Sequence, residues 1–368
     1  TATGGAGGSS TGQGGTSAGG GGAGGSAPAV CDGFSPVLPA AEWQERSPAD
    51  VGLDATSLDD AMSYLASVSG DQGTEQALVV RCGYLVWQGA DIDNRHNVWS
   101  VTKSFTSTVL GLLVDDGQCT TQTLAQDWLS SLQASYPDVT LGHFATMTSG
   151  YDGGGDQSDT PFSPTAPLFA PGAAYQYWDS AMNQFGNALT RVAGGDLESL
   201  FESRVAEPIG MVGSDWDWGD WGTVDGMLVN GGAGNKSRGI HVTARQLARF
   251  GLLMLHRGSW DGVQLISASW VDEATTVQVP PSVPAHTGGA NGPGLYGYNW
   301  WVNGIKPDAS RRWPLAPSDT YAAMGYNHNR MYVIPSWGMV IVRLGTDGDP
   351  PSDEETSTFF GMVAAALL

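Results

Sequence analysis

The sequence predicts an α+β fold in which an antiparallel sheet is flanked by N- and C-terminal helices and carries a mostly helical second subdomain. Three observations predict it. Segments with helical spacing of apolar residues open and close the foldable chain. Just inside each lies a pair of β-rich runs joined by a tight turn, so one sheet must draw strands from both ends. Between them the signals are mainly helical and separated by Gly/Pro/Asp-rich loops.

Taken in order, residues 1–29, TATGGAGGSSTGQGGTSAGGGGAGGSAPA, cannot bury enough apolar surface to fold and read as a flexible tether. Such a leader starting on Thr1 suits an exported protein, periplasmic or extracellular, with a lipid or cell-surface tether as one arrangement. Residues 30–368 then form the folded domain, its sheet part at about 48–100 and 240–368 and its helical part at about 101–239. SLDDAMSYLASV is a helix that Ser57 can cap, and ALVVRCGYLVWQG (77–89) is a hairpin turning at Cys82-Gly83. Helices are expected over 103–116, 123–133, 179–193, 196–205 and 243–257. RMYVIPSWGMVIVRLG (330–345) is a second hairpin, and DEETSTFFGMVAAALL closes the chain as a helix with acids in its first turn. No repeat of solenoid or propeller spacing is present.

Bulk composition excludes some partners. At 368 residues, with 41% apolar residues and 14 tryptophans, the chain has ample material for a core. A formal charge of -21, with no local cluster of Lys and Arg, repels a phosphate backbone and excludes nucleic acid. No apolar run reaches the roughly 18 residues needed to cross a bilayer. Cys31, Cys82 and Cys119 are too scattered for a metal motif; one disulfide with a spare thiol and three buried thiols are both open readings.

Two motifs satisfy nucleophile patterns. GSSTG (8–12) matches G-x-S-x-G but lies in the tether, without the strand and helix that an elbow needs. Ser100 and Lys103, in NVWSVTKSF, sit at the opening of a helix whose apolar face is Phe105, Val109, Leu112 and Leu113. At i and i+3 they share a face, so the amine can reach the hydroxyl, and the helix N-terminus offers N–H groups to a developing oxyanion. A serine hydroxyl is a poor nucleophile until a base takes its proton. The plainer alternative is a capping serine and a solvated lysine, although a lysine is unfavourable at that positive helix end.

Further along, PGAAYQYWDSAMNQFG (171–186) places a tyrosine in a P-G-x-x-Y-x-Y context. Together with S-x-x-K and the ordered landmarks LGHFATMTSGYD, RGIHVTARQLARFGLLMLHRG, YGYNWWVNG and GYNHNRMYVIPSWGMVIVRLG, it resembles the serine β-lactamase and penicillin-binding-protein superfamily over roughly residues 50–368. The likeness is greatest to the branch of class C β-lactamases, D-alanyl peptidases and related esterases and amide hydrolases. The resemblance implies a β-lactamase-like fold, Ser100 as the acylated nucleophile, Lys103 as its motif partner, and Tyr177 as the tyrosine of the Y-x-N element. That element reads Tyr177-Trp178-Asp179, and a carboxylate at Asp179 favours a charged Lys103. The expectation is that Tyr177 transfers the proton while charged Lys103 lowers its pKa.

For the third family element, HTGG (286–289) precedes YGYNWW where the family order requires it to follow, so Tyr326, Asn327 and His328, together with Asp179, are expected to wall the substrate site. The Asn329 N–H then joins that of Ser100 in the oxyanion hole. His241 and His256 are expected to be structural. SDWDWGDWG (214–222) alternates acids with tryptophans and makes Trp218 a candidate substrate contact, but it lacks the twelfth-position acid of an EF-hand.

The reading is an exported serine hydrolase that cleaves a small-molecule ester or amide through an acyl-enzyme at Ser100, with no metal and no organic cofactor. The third element contributes no lysine to meet a β-lactam carboxylate, so a neutral substrate is preferred. A β-lactamase or D-alanyl carboxypeptidase is the alternative. Rivals from other classes are a non-catalytic binding protein and a carbohydrate-active protein using Asp215, Asp217 and Asp220. The sequence leaves the oligomeric state open.

Overall fold

The computed structural model describes residues 1, 31, 37–287 and 292–368. The tether with its GSSTG segment, and the glycines that end HTGG, lie outside the described residues. In chain order the elements are α1 (Ala55–Ser67), β1 (Gln76–Arg81), β2 (Tyr84–Gln88), β3 (His96–Asn97), α2 (Thr102–Asp115), α3 (Leu141–Ala145), α4 (Asp179–Ala193) and α5 (Leu197–Phe201). These are followed by β4 (Trp216–Trp218), β5 (Asp220–Val224), β6 (Met227–Asn230), β7 (Ile240–Val242), α6 (Ala244–Leu255), β8 (Ser259–Trp260), β9 (Val263–Gln264) and α7 (Ala268–Ala274). Last come β10 (Trp301–Val302), β11 (Tyr321–Gly325), β12 (Asn329–Ile334), β13 (Met339–Leu344) and α8 (Asp353–Ala365).

The expected sheet forms from both ends of the chain. Its order is β10-β11-β12-β13-β1-β2, antiparallel throughout, with β1 at Gln76–Arg81 lying against β13. Side chains alternate along each strand, so each face has its own core. Ala77, Val79, Tyr332 and Ile341 meet α1 and α8, including Phe359 and Phe360. Leu78, Val80, Met331, Val340 and Val342 meet α6 and, beyond it, α2. Each fully buried side chain of this size contributes about 1.5–3 kcal/mol.

Cys82 and Gly83 both have positive φ, 49° and 84°, the backbone of a two-residue hairpin turn matched to strand twist. A Cβ at Gly83 would lie 1.7 Å from the Val37 carbonyl oxygen, so only glycine fits there. Cys82 is disulfide-bonded to Cys31, and Cys119 is the spare thiol, buried and pushed up to about 11 by that burial. This selects the first of the two cysteine readings.

Three local expectations need correction. Asp54, not Ser57, caps α1: its carboxylate accepts the Ser57 N–H at 2.8 Å and starts the helix earlier. Residues 123–133 form two 3-10 turns, Ala125–Asp127 and Ser130–Leu132, rather than one helix. Their helical spacing buries Ala125, Leu129 and Leu132, while Asp127, Ser130 and Ser131 are residues that compete for the backbone and favour turns. Helix α2 is also not amphipathic: every residue from Thr102 to Leu113 is buried. Most of its hydroxyls are satisfied locally or across the core, with Ser104 donating to the Asn299 carbonyl (2.9 Å) and Thr106 to that of Gly232 (3.1 Å), while Ser107 Oγ is buried without a partner among the described residues. A helix buried on all sides is a rigid post for whatever stands at its N-terminus.

Candidate active site

Ser100 stands in a 3-10 turn, Trp99–Val101, that feeds directly into α2. The turn is anchored by the Val98 N–H on the Ile240 carbonyl (3.0 Å) and by Asn97 Oδ1, which accepts the Trp99 N–H at 2.9 Å and supports a left-handed Trp99 (φ 53°). No side chain caps α2. The capping alternative for Ser100 therefore fails, and the half-buried hydroxyl is engaged elsewhere.

Lys103 is 1% exposed, which overturns the solvated-lysine alternative. Its Nζ donates to Ser100 Oγ (2.7 Å), Asp179 Oδ1 (2.8 Å) and the Ala233 carbonyl (2.9 Å). Three acceptors take three hydrogens, so this geometry describes an ammonium paired with a carboxylate. Burial of the pair is tolerable because the second carboxylate oxygen is also met: Asp179 Oδ2 accepts from Gln157 Nε2 at 2.6 Å. Asp179 opens α4, and its own N–H goes to Asp156 Oδ1 (2.6 Å), so a loop carboxylate caps the helix in place of the uncapping Trp178. Burial, then the nearby Asp179 charge, holds the Asp156 carboxyl above its usual range.

Tyr177 immediately precedes α4. Its ring lies 4.7 Å from Lys103 Nζ and stacks on Trp301 at 5.8 Å, and Arg312 covers Trp301 at 4.7 Å. Burial, reinforced by the Asp179 carboxylate, raises the phenol well above its ordinary value; its hydrogen bond with Ser100 acts in the opposite sense and is outweighed. The expected lowering of Tyr177 by Lys103 is thus reversed in direction. The residue is a neutral phenol.

Strand β11 delivers the opposite wall. A Cβ on Gly325 would sit 2.1 Å from the Val98 carbonyl oxygen and 3.2 Å from the Ser100 nitrogen, so the two backbones touch only because the residue is glycine. The Asn329 N–H, expected in the oxyanion hole, instead closes the β11–β12 turn on the Tyr326 carbonyl at 3.2 Å. Ala323-Met324-Gly325 on β11 is thus the strand segment that faces the serine turn, with 326–328 forming the turn beyond it. Among the described residues, the Ser100 and Tyr326 amides are committed to no acceptor.

Other expected contacts divide. Tyr326 is 57% exposed and meets Trp99 edge-on at 5.3 Å, an aromatic rim beside the serine. Asn327 donates to the Thr346 carbonyl (2.7 Å) and serves the turn. His328 is wholly buried with Nδ1 2.8 Å from Ser69 Oγ, so it cannot wall a cleft. Burial, then the Arg330 and Arg343 charges, push it down to about 2, too low for a base. Asp179 is buried against Lys103, so it acts through that lysine and not on substrate. Trp218 is 2% exposed, packs on Phe105 and Phe201, and donates its indole N–H to the Gly231 carbonyl (2.9 Å). It is a core residue, not a substrate contact.

The neighbouring acids do not converge. Asp215 holds Gln246 (3.0 Å), Asp217 lies beside Arg95 and His241, and Asp220 closes its own turn at Gly222. No group of acids, histidines and cysteines among the described residues could hold a metal ion. An apolar cavity of about 760 Å³ opens beside β10, lined by Val277, Val302, Ile305 and Tyr321, but no member of the Ser100 constellation lines it. Sequence reasoning missed Gln157, Ala233 and Gly325. Only the last had a signal, a glycine closing the strand before an exposed turn.

A hydroxyl, an ammonium, a phenol and two free amides gathered at one helix end, on this sheet, define a serine hydrolase of β-lactamase type. The chain belongs to the Beta-lactamase family, whose model matches residues 72–365. It is similar to the 6-aminohexanoate-dimer hydrolase of Paenarthrobacter ureafaciens, 25% identical over 90% of this chain and 87% of that protein. Among solved structures it resembles a penicillin-binding protein homolog from Caulobacter crescentus (TM-score 0.64, 17% identity, 86% of this chain and 99% of that one). A family VIII carboxylesterase is comparably similar (TM-score 0.62, 17% identity, 85% and 97%).

Proposed function

We propose that Ser100 is the nucleophile of an exported hydrolase acting on neutral amides or esters of small carboxylic acids, with Tyr177 as proton relay and Lys103 as fixed cation. The carrying observation is the three-acceptor coordination of Lys103 Nζ, which includes Ser100 Oγ. An ammonium in that position has no lone pair to act as a base, whereas the neutral Tyr177 phenol, hydrogen-bonded to Ser100, can both accept and donate.

Ser100 Oγ attacks the carbonyl carbon, and the carbonyl electron pair moves onto oxygen between the Ser100 and Tyr326 amides. The serine proton passes to Tyr177 Oη as the phenol proton passes to the leaving nitrogen or oxygen. The carbon–nitrogen or carbon–oxygen bond breaks, and the amine or alcohol departs. Water then repeats the sequence on the acyl-enzyme and releases the acid.

Strand β11 brings no cationic side chain to the serine, which supports a neutral acyl group over a carboxylate-bearing lactam. Similarity to a 6-aminohexanoate-dimer hydrolase supports amides within that class. The Cys31–Cys82 disulfide supports an oxidising compartment.

Fluorophosphonate labelling should be complete in the native protein and absent in Ser100→Ala. Tyr177→Phe should slow single-turnover acylation about 10²–10⁴-fold; near-normal acylation removes Tyr177 from the relay. A panel of p-nitrophenyl esters, short linear amides, nitrocefin and D-Ala-D-Ala peptides should favour the first two, and nitrocefin turnover above the others would overturn the substrate class. No labelling by any serine probe would leave a binding protein.

A further inference from the structure

Two loops close over the buried face of the lysine–carboxylate pair. Gln157, on the loop after Tyr151, donates from Nε2 to Asp179 Oδ2 (2.6 Å), and its Oε1 accepts from Asn235 Nδ2 (3.1 Å). Asn235 is buried and is itself held by Asn183, whose amide donates to Asn235 Oδ1 at 3.1 Å. One residue along on that second loop, Lys236 pairs with Asp159 of the first. The amide of Gln157 thus has a fixed orientation: oxygen toward Asn235, nitrogen toward Asp179 and, more distantly, Asp156 Oδ2 (3.4 Å).

We infer that Gln157 is a positioning residue for the hydrolase, a clasp between the 156–159 and 235–236 loops that keeps Asp179 an ionised acceptor and thereby keeps Lys103 an ammonium against Ser100. This rests on the reading of Ser100 as nucleophile and deepens it. The physical reason is the count of acceptor sites. Asp179 Oδ1 faces Lys103; without Gln157, Oδ2 would stand beside the Asp156 carboxylate with no donor, and protonation of one acid would relieve both the repulsion and the orphaned oxygen. A protonated Asp179 no longer requires a charged lysine, and the cation that orients Ser100 Oγ loosens.

The charged and titratable groups around Asp179 are Lys103 from α2, Asp156 from the clasping loop, Tyr177 just before α4 and Tyr296 from the segment before β10. Among the described residues only Lys103 offers it a cation, so the neutral donor from Gln157 is the second support of its charge. Gln157 is solvent-exposed along its chain, so replacing it leaves the core intact.

The test is the pH profile of kcat/KM on a p-nitrophenyl ester for the native protein, Gln157→Met and Gln157→Glu, with fluorophosphonate labelling and a thermal melt for each. Removing a hydrogen bond to the charged form moves a carboxyl's titration upward. The acid limb of the Gln157→Met profile should shift up by about one pH unit, with native rates recovered on the alkaline side. Gln157→Glu, which sets a third carboxylate in the cluster, should shift it further. Asn235→Ala, which frees the Gln157 amide to rotate, should reproduce part of the Met shift. A rate lowered equally at all pH values, or unchanged, with labelling intact, overturns the clasp while leaving the nucleophile in place. Failure of the native protein to label overturns the reading on which both rest.

Discussion

His328 gives a prediction whose size follows from its surroundings. Ser69 Oγ donates to the Leu65 carbonyl (2.5 Å), so His328 Nδ1 must carry the hydrogen of the 2.8 Å contact to Ser69 Oγ. Nε2 is then a bare lone pair, buried without a partner among the described residues, and its proton would face the charges of Arg330 and Arg343. The ring stays neutral in the fold down to about 2 against 6.5 in the unfolded chain. Below 6.5 the unfolded state binds the extra proton, so the contribution is fully present above that pH and is lost as pH falls toward 2. At pH 5.5 the loss is about 1.4 kcal/mol. The comparison is urea unfolding of the native protein and His328→Asn at pH 7.5 and 5.5. Asparagine tolerates the left-handed backbone at this position (φ 54°), can donate to Ser69 and does not titrate. The stability gap between the two proteins should narrow by about 1.4 kcal/mol on acidification. A gap independent of pH would refute the reasoning.

Three further outcomes are expected. Gly325→Ala should lower kcat/KM about 10²–10³-fold with a smaller loss of stability, because its Cβ pushes β11 away from the Ser100 and Val98 backbone; native-like kinetics would exclude β11 as the oxyanion wall. Trp218→Ala should cost about 3–5 kcal/mol in denaturant unfolding with KM unchanged, and a raised KM at native stability would restore it as a substrate contact. Cys82→Ser opens a disulfide whose cysteines are 51 residues apart. By loop-closure entropy that costs about 4 kcal/mol, read as a lower denaturant midpoint, whereas an unchanged midpoint would mean that the tie to Cys31 contributes nothing to stability.

The two hairpins were legible because a turn between alternating apolar runs leaves few other pairings, and both ends of the chain had to share one sheet. Ser100 and Lys103 were legible because three residues along a helix is a fixed geometry, whatever surrounds it. Tyr177 followed from the resemblance to a known family, carried by motifs in order along the chain. The remaining site residues were not legible. An N–H is free for an oxyanion or closed in a turn according to the hairpin register, so the choice between Asn329 and the backbone at Gly325-Tyr326 waits for the fold. His328 and Trp218 look alike as cleft or core residues in a sequence, since burial depends on what packs over them. The direction of the Tyr177 shift likewise depends on which neighbour is closer, and burial with Asp179 outweighs the rest.

By itself the sequence determined the α+β class, the two-ended sheet and the serine–lysine pair, because these rest on local period and spacing. Only the tertiary structure decided that the lysine is a buried ammonium, that the tyrosine is a neutral phenol, and that Asp179 is held from behind by Gln157. Those are properties of groups 76 or 22 residues apart brought within 3 Å, and no spacing rule encodes them.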